Sequence, residues 1–328
     1  MSVVVVGAGL SGVACAREVA RTGLPVRVLD RAHTVGGRMA SSPHDGRPVD
    51  MGAAYFTVRD PEFAEVVAGW RSAGLARPWT AEMAVLAHGD RSRSAGPMRW
   101  AAPKGLRSLV AALAEGLEIE LDHEVKRVAD GPRVDGEPAE VVVLAMPDPQ
   151  ALRVLAPGLG AVALTSDRPW RPVLTVAAGY PTREWPELSA AFVNDHPVLT
   201  LVADDGARRG DGVPVLVAHT TSAVARAHDA DPAGAVPTVV EAVRELLGLS
   251  EAPVWTDAHR WRFAAPELDR AEPFHLGEDG IGLAGDGWGS SRIETAWRSG
   301  TLLGREIVKR LQRERDVNAG WRSPGGRT

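Results

Sequence analysis

The chain has 328 residues, 45% of them hydrophobic and 24% charged, with a formal net charge of −5. That length holds two intimately joined domains with ample core, and the charge excludes the basic footprint of a nucleic-acid or anionic-membrane binder. No apolar run approaches a membrane span and no signal-like core opens the chain, so a cytoplasmic location is expected.

Residues 3–12 read VVVVGAGLSG, a buried strand running into Gly7-x-Gly9-x-x-Gly12. Gly7 permits the tight turn, Gly9 lets backbone approach a pyrophosphate, and Gly12 lets the next helix pack closely on the sheet. The anion is favoured at the N-terminus of that helix. PVRVLD is the following strand, ending at Asp30, which is placed to accept hydrogen bonds from an adenosine ribose. Strand, glycines, helix, strand and terminal acid together predict a dinucleotide-binding unit. Cys15, the one cysteine, lies on the helix. It excludes a disulfide framework or a cysteine-based metal cluster, reads as a buried small apolar residue, and is not expected to tether a cofactor.

Gly36-Gly37-Arg38 follows the second strand within one short loop. The glycines let backbone pass close to a cofactor, and Arg38 offers a planar fork of donors for phosphate oxygens. An NAD site needs no such loop, whereas many FAD enzymes carry one here. In VDMGAAYFTVRD, Asp50 and Gly52 form a turn, and Ala53–Thr57 reads either as a strand along a flavin ring or as a hairpin with half-buried Tyr55 and Phe56. Asp60-Pro61-Glu62 starts a helix with Phe63, Val66, Val67 and Trp70 on its apolar face. Leu75–Met98 is irregular, with Glu82–Ala87 a possible strand, and Arg91–Ser94 is a polar loop, solvated or reaching an anionic substrate.

Gly105–Glu115 is a helix, Ile119–Leu121 and Glu124–Val128 are short strands, Asp130-Gly131 is a hairpin turn, and Val141–Ala145 is a buried strand. Residues 172–253 supply strands and the amphipathic helix Pro237–Leu247, predicting an antiparallel sheet with one helical face. In an extended run His259, Trp261 and Phe263 point one way and Arg260 and Arg262 the other, and the sequence leaves open which set faces a cavity. GLAGDGWGSSRIETAWRSG crosses a glycine-rich turn at Gly285-Asp286 and opens the last long helix at Ser291, where Ser291 and Glu294 have capping-box spacing.

GAGLSG, DR…VGGRM, DMGAAYFT, RWAAPKGLRSLVAALA, VVVLAMPDPQ and the C-terminal GLAGDGWGSSRIETAWRSG stand in an order that resembles the flavin monoamine oxidase superfamily. YFT after the DxGA turn, the His259-Arg260-Trp261-Arg262 run and the short length look most like its renalase-like branch. The resemblance covers both termini and the middle cofactor segment; the strands of residues 172–253 match only in general pattern.

The resemblance implies an α/β chain of monoamine oxidase-type architecture. A Rossmann-like FAD-binding domain with a mixed sheet and a β-meander is expected from residues 1–58, 102–150 and 257–312. An α+β substrate domain with an antiparallel sheet is expected from 59–101 and 151–256, and a flexible tail from 313–328. Noncovalent FAD would be held by Gly7, Gly9, Leu10, Ser11, Gly12, Asp30, Arg31, Gly37, Arg38, Met39, Gly52, Ala53, Tyr55, Phe56, Val125, Gly285, Asp286, Arg292, Ile293 and Glu294. Val125 stands where the family lays backbone on the adenine. No metal is expected.

For chemistry the resemblance implies hydride transfer to flavin N5 from isomeric dihydronicotinamide dinucleotides, the 2- and 6-dihydro isomers of NAD(P), with O2 reduced to hydrogen peroxide. His259, Arg262 and Tyr55 are candidates beside the reacting centre, with a structural role for His259 equally open. The alternatives are an amine oxidase or small-metabolite desaturase, and a flavin-holding protein without turnover. Amine oxidases of the family use paired aromatic walls and commonly a lysine-held water, yet this chain reads Arg292-Ile293 at the C-terminal aromatic position, and Lys104 is the one lysine near a flavin-domain junction. No nucleic-acid or membrane partner is expected.

Overall fold

The strand Val3–Val6 is buried at all four positions and pairs in parallel with Val26–Leu29 on one side and Val141–Leu144 on the other. This is the arrangement of a computed structural model that describes residues 2–87 and 89–320. A strand covered on both faces has no solvent side to mark with polar residues, which is why four valines run without alternation. Ile281–Leu283 and Glu118–Glu120 extend the parallel set, and His275–Leu276 closes one edge antiparallel, making six strands.

Val3 and Val5 face the helices Leu10–Ala20 and Ile293–Gly320, packing with Val19, Leu303 and Ile307. The two helices approach so closely that a Cβ at Gly300 would lie 1.9 Å from the Ser11 carbonyl oxygen. Cys15 is enclosed there, and burial followed by the Glu18 charge pushes its thiol up to about 12, as suits a small apolar filler. Val4 and Val6 face the other way, onto Val128 and Val134 of the three-stranded meander 128–138 and onto the helices Asp148–Val154 and Gly160–Thr165.

The second sheet has seven strands in the order Trp255–Pro266, Trp170–Gly179, Val215–Thr220, Leu199–Asp204, Ala190–Asn194, Arg77–Ala87, Asp90–Ala101. Its outer face, with Leu174, Val176, Leu216 and Ala218, packs on Val239 and Val243 of the helix Val236–Leu247. Its inner face, with Ala177, Val215 and Val217, rests on Val49 and Met51 of the first domain. Neighbouring strands run antiparallel except Ala190–Asn194 with Arg77–Ala87, a parallel pair in a sheet expected to be antiparallel throughout.

Three other expectations need correction. Glu82–Ala87 is a strand as expected, but the rest of Leu75–Met98 is not irregular: the segment forms most of the two long strands Arg77–Ala87 and Asp90–Ala101, and Arg91–Ser94 lies on the second, with Arg93 donating to Glu82 at 3.0 Å. Every residue from Asp90 to Met98 is exposed, so the alternation that announces a half-buried strand is absent.

The domain boundaries also shift. The helix Pro61–Ser72, capped by Asp60 as expected, packs Phe63, Val67 and Trp70 on Leu10, Val13 and Leu109 of the first domain. Residues 151–165 likewise pack on the six-stranded sheet, while 257–266 form an edge of the seven-stranded one. The last helix runs on to Gly320, so residues 313–320, expected in a flexible tail, are helical; 321–328 lie outside the described residues.

The domains are clamped by charge. The hairpin Ser41–His44/Arg47–Asp50 meets the short helix Asp205–Arg209, where Asp205 accepts from Arg47 at 2.6 Å and from Arg209 at 2.9 Å, and also pairs with Arg208. Arg209 reaches Asp50 at 3.1 Å. Burial works against ionising Asp205, but Arg208, Arg209 and Arg47 outweigh it and bring its pKa down to about 2. Arg208 also donates to the Ala54 carbonyl at 2.8 Å, which fixes the segment that follows the Asp50–Gly52 turn.

Candidate functional site

Gly7 takes φ +113° at the strand-to-helix turn, a conformation in which a side chain would be strained. Beyond it, Gly9 is the helix N-cap with no side-chain cap, no acid stands in the first turn, and the buried Ser11 hydroxyl has no hydrogen-bond partner. Asp30 folds back over this loop, its carboxylate accepting from Ala8 N–H at 2.6 Å and from Ala32 N–H at 2.8 Å. His123 N–H donates to the Asp30 carbonyl at 2.9 Å, so the chain leading to buried Val125 passes beside it. Residues 123–127 do this as irregular backbone, not as the expected strand.

The Gly36–Met39 turn lies against the first glycine loop through a bridge between Gly9 and Gly36. Arg107, which sequence reasoning passed over, leans on Gly36 with its Nε buried and unpartnered, and burial lowers its pKa despite nearby Asp50. Arg38 donates to Asp286 at 2.9 Å and to the Ala264 carbonyl at 3.1 Å, and its guanidinium lies 5.2 Å from the Trp170 ring. The second and last glycine turns thus meet, although 248 residues separate Arg38 from Asp286.

The capping box does not form. Ser291 donates instead to Asp286 at 2.5 Å, while Glu294 accepts from the N–H groups of Arg59 (2.5 Å) and Asp60 (3.0 Å). The helix accordingly opens at Ile293, with Arg292 exposed before it. Leu10, Met39 and Phe56 turn their side chains into the core, Phe56 edge-on to Phe63 and Trp70, which leaves only their backbone for a ligand. Arg31 is exposed.

Gly52 sits where nothing larger fits, since a Cβ would lie 2.0 Å from the Arg38 carbonyl oxygen. Above it, Trp261 Nε1 donates to the Met51 carbonyl at 2.6 Å, and His219 hydrogen-bonds to the Gly52 backbone. His219 belongs to a row of directly paired residues crossing the inner face: His259, Thr175, His219, Leu201, Phe192. His219 Nε2 and Thr175 Oγ1 are both buried without a partner. Burial and then the charge of Arg208 lower the His219 pKa to about 4, against the Gly52 bond, so the ring is neutral at pH 7.

His259 is exposed with its ring against that of Trp261, 4.2 Å between centroids, and desolvation lowers its pKa against the pull of Asp257. Arg260 and Arg262 both turn to the face opposite His259, to Asp229 at 3.1 and 2.8 Å, so the structure does not bring Arg262 together with His259 and Tyr55. Tyr55 stays at the inner face, 6.3 Å from Trp79. Sequence reasoning missed His219, Thr175 and Arg107. A signal existed for His219: period-two spacing in VLVAHT places it with Val215 and Val217, a polar residue on a buried row.

Residues 5–70 match the NAD(P)-binding Rossmann-like domain, and residues 58–308 match the flavin containing amine oxidoreductase family. The chain belongs to the flavin-containing amine oxidoreductases. It is 49% identical over 57 residues to hydroxyneurosporene desaturase of Rubrivivax gelatinosus, a stretch spanning 17% of this chain and 11% of that relative. It is 44% identical over 54 residues to polyamine oxidase 4 of Oryza sativa subsp. japonica, spanning 16% and 11%.

Among solved structures, cyclohexylamine oxidase from Brevibacterium oxydans IH-35A superposes with a TM-score of 0.76 at 15% identity, covering 95% of this chain and 99% of that one. Putrescine oxidase bound to putrescine gives 0.71 at 17% identity, covering 94% and 99%. These structures share the fold.

The family is flavin-containing, and its cofactor is FAD. The residues present suit that cofactor. An uncapped helix N-terminus, an orphaned Ser11 hydroxyl and open space around Gly9 would suit its pyrophosphate, and Asp30, folded over the same loop, would be available to its ribose. Among the described residues no helix is long and apolar enough to cross a membrane, and no cluster of ligands suits a metal ion.

Proposed function

We propose that this flavoenzyme oxidises isomeric dihydronicotinamide dinucleotides, the 2- and 6-dihydro isomers of NAD(P), with O2 reduced to hydrogen peroxide. Bound FAD supplies the hydride acceptor at N5 and the route of electrons to oxygen. The supporting observation is the position of the lysines: Lys104, Lys126 and Lys309, the chain's only three, are all exposed. A lysine-held water, the device expected for amine donors, therefore has no lysine on the inner face.

A dihydropyridine releases hydride directly from ring carbon and needs no general base. The work left to the protein is to bind, orient and exclude water. His219, neutral at pH 7, and Thr175 offer hydrogen bonds without adding a full charge over Gly52. The N-terminus of the helix Ile293–Gly320 favours negative charge on a group bound before it, by about 0.3–1 kcal/mol.

A second reading, an amine oxidase or desaturase, is favoured by the names of the matched relatives; a flavin-holding protein without turnover is the third. Anaerobic rapid mixing separates the three. Bleaching of the flavin band by 2- or 6-dihydroNAD(P) but not by primary amines or polyamines is the expected result. Bleaching by amines alone refutes it, and no bleaching by either donor points to the third.

A further inference from the structure

Arg99 is 6% exposed, and its Nε and Nη1 have no hydrogen-bond partner. A guanidinium stays charged at any pH the protein meets, so burying one without a carboxylate is costly. Elsewhere this fold meets that need directly, pairing buried Arg208 and Arg209 with Asp205. Arg99 has no carboxylate in ion-pair reach among the described residues. The nearest candidate along the ladder, Glu82, is taken by Arg93. What holds Arg99 is aromatic: its guanidinium lies 5.4 Å from the Tyr55 ring and 5.7 Å from the Phe192 ring. Ring faces steady a cation but accept none of its N–H groups in the plane of the fork. A second orphan donor lies on the paired strand, the buried Nε1 of Trp79, whose ring centroid is 6.3 Å from that of the same Tyr55.

We propose that Arg99 and Trp79 form an oxyanion subsite of the substrate cavity, receiving a carboxylate or phosphate group carried by the substrate. The proposal rests on reading the inner face of the seven-stranded sheet as the substrate face. Every unmet group at this corner is a donor, and the matching ligand is rich in acceptors and negatively charged. Phe192, under the guanidinium, is two strands from His219, so an anion held here leaves the rest of its ligand about 10 Å of reach toward Gly52. The same charge repels polyamines, which sorts donors by sign. The pyrophosphate of a dinucleotide and the carboxylate of a small acid share this chemistry.

The test titrates the flavin-loaded protein with inorganic pyrophosphate and, separately, with malonate, using calorimetry and thermal melting. At least one anion is expected to saturate and raise the melting temperature. Stronger pyrophosphate binding indicates a phosphate source, and stronger malonate binding a carboxylate source. R99M should bind about tenfold more weakly or worse. In anion-free buffer R99M should melt no lower than the wild type, because an uncompensated charge is gone.

W79F removes one N–H, keeps the charge and should weaken binding about threefold; it decides the matter if R99M does not fold. Anions that never saturate, or wild-type affinity in both variants, overturn the proposal. Flavin bleaching is read separately. Anion binding that depends on Arg99 without bleaching by dihydronicotinamides keeps the subsite and defeats the proposed donor, while bleaching without anion binding does the reverse.

Discussion

Gly9 and Gly52 both stand in the glycine turns of the first domain, but a methyl group meets different surroundings at each. At Gly9, in extended backbone, no atom lies within 4 Å of a Cβ, so that space belongs to whatever the loop binds. Gly9→Ala should leave apoprotein stability unchanged or up to about 1 kcal/mol higher, while weakening FAD binding about tenfold or more, some 1.4 kcal/mol. Gly52→Ala forces a carbon against the Arg38 carbonyl and should destabilise even the apoprotein by about 1–3 kcal/mol. Urea denaturation of the apoproteins and flavin-fluorescence titration measure both; equal behaviour of the two variants contradicts the assignment. The positions of Gly7 and Asp30 in the fold were legible because a tight strand-to-helix turn and the end of the second strand each demand one residue type. Ser291 and Glu294 were misread because capping-box spacing says nothing of competitors: Asp286 and the Arg59–Asp60 backbone, both distant in sequence or outside the helix, hold those side chains more closely.

The charge clamp between the 41–50 hairpin and the Asp205–Arg209 helix is an element-scale device, and its effect has a definite sign with pH. Asp205 has a folded pKa of about 2 against an ordinary value of 3.8, so its stabilisation is full above the ordinary value and fades as pH falls through the folded one. Urea midpoints of the apoprotein should hold steady from pH 7 to about 5 and drop steeply between about 4 and 2. Asp205→Asn leaves three arginines around a neutral amide and should cost about 3–5 kcal/mol at pH 7. A variant within about 0.5 kcal/mol of wild type would show that solvent already screens the cluster. Nothing in the sequence announced this clamp, since DDGARRG resembles a solvated turn until a hairpin from 158 residues away is laid across it. The strand 90–101 escaped for the opposite reason: an edge whose side chains face water carries no periodic mark, whereas Glu82–Ala87, with Met83 and Leu86 buried, was legible as a strand.

Across the whole molecule, the architecture was readable and its seams were not. Two sheets, the meander and the returning C-terminal helix follow from motif order and hydrophobic runs, whereas the helix Pro61–Ser72 and the strand Trp255–Pro266 each joined the domain opposite to the one expected. Sequence order does not reveal which core an apolar face will find. With Cys15 enclosed between helices, the flavin should be held without a covalent bond: acid precipitation should leave a yellow supernatant, and a coloured pellet would contradict this. Added FAD at about a hundredfold excess over Kd should stabilise the apoprotein by about 2.7 kcal/mol, seen as a rise of several degrees in scanning calorimetry.

The contact between Arg38 and Asp286 also sets a schedule. During synthesis the first fifty residues leave the ribosome long before the turn that answers them, so a nascent chain can display its phosphate loop yet not enclose a ligand. Colour should therefore appear only in chains finished through the closing coil.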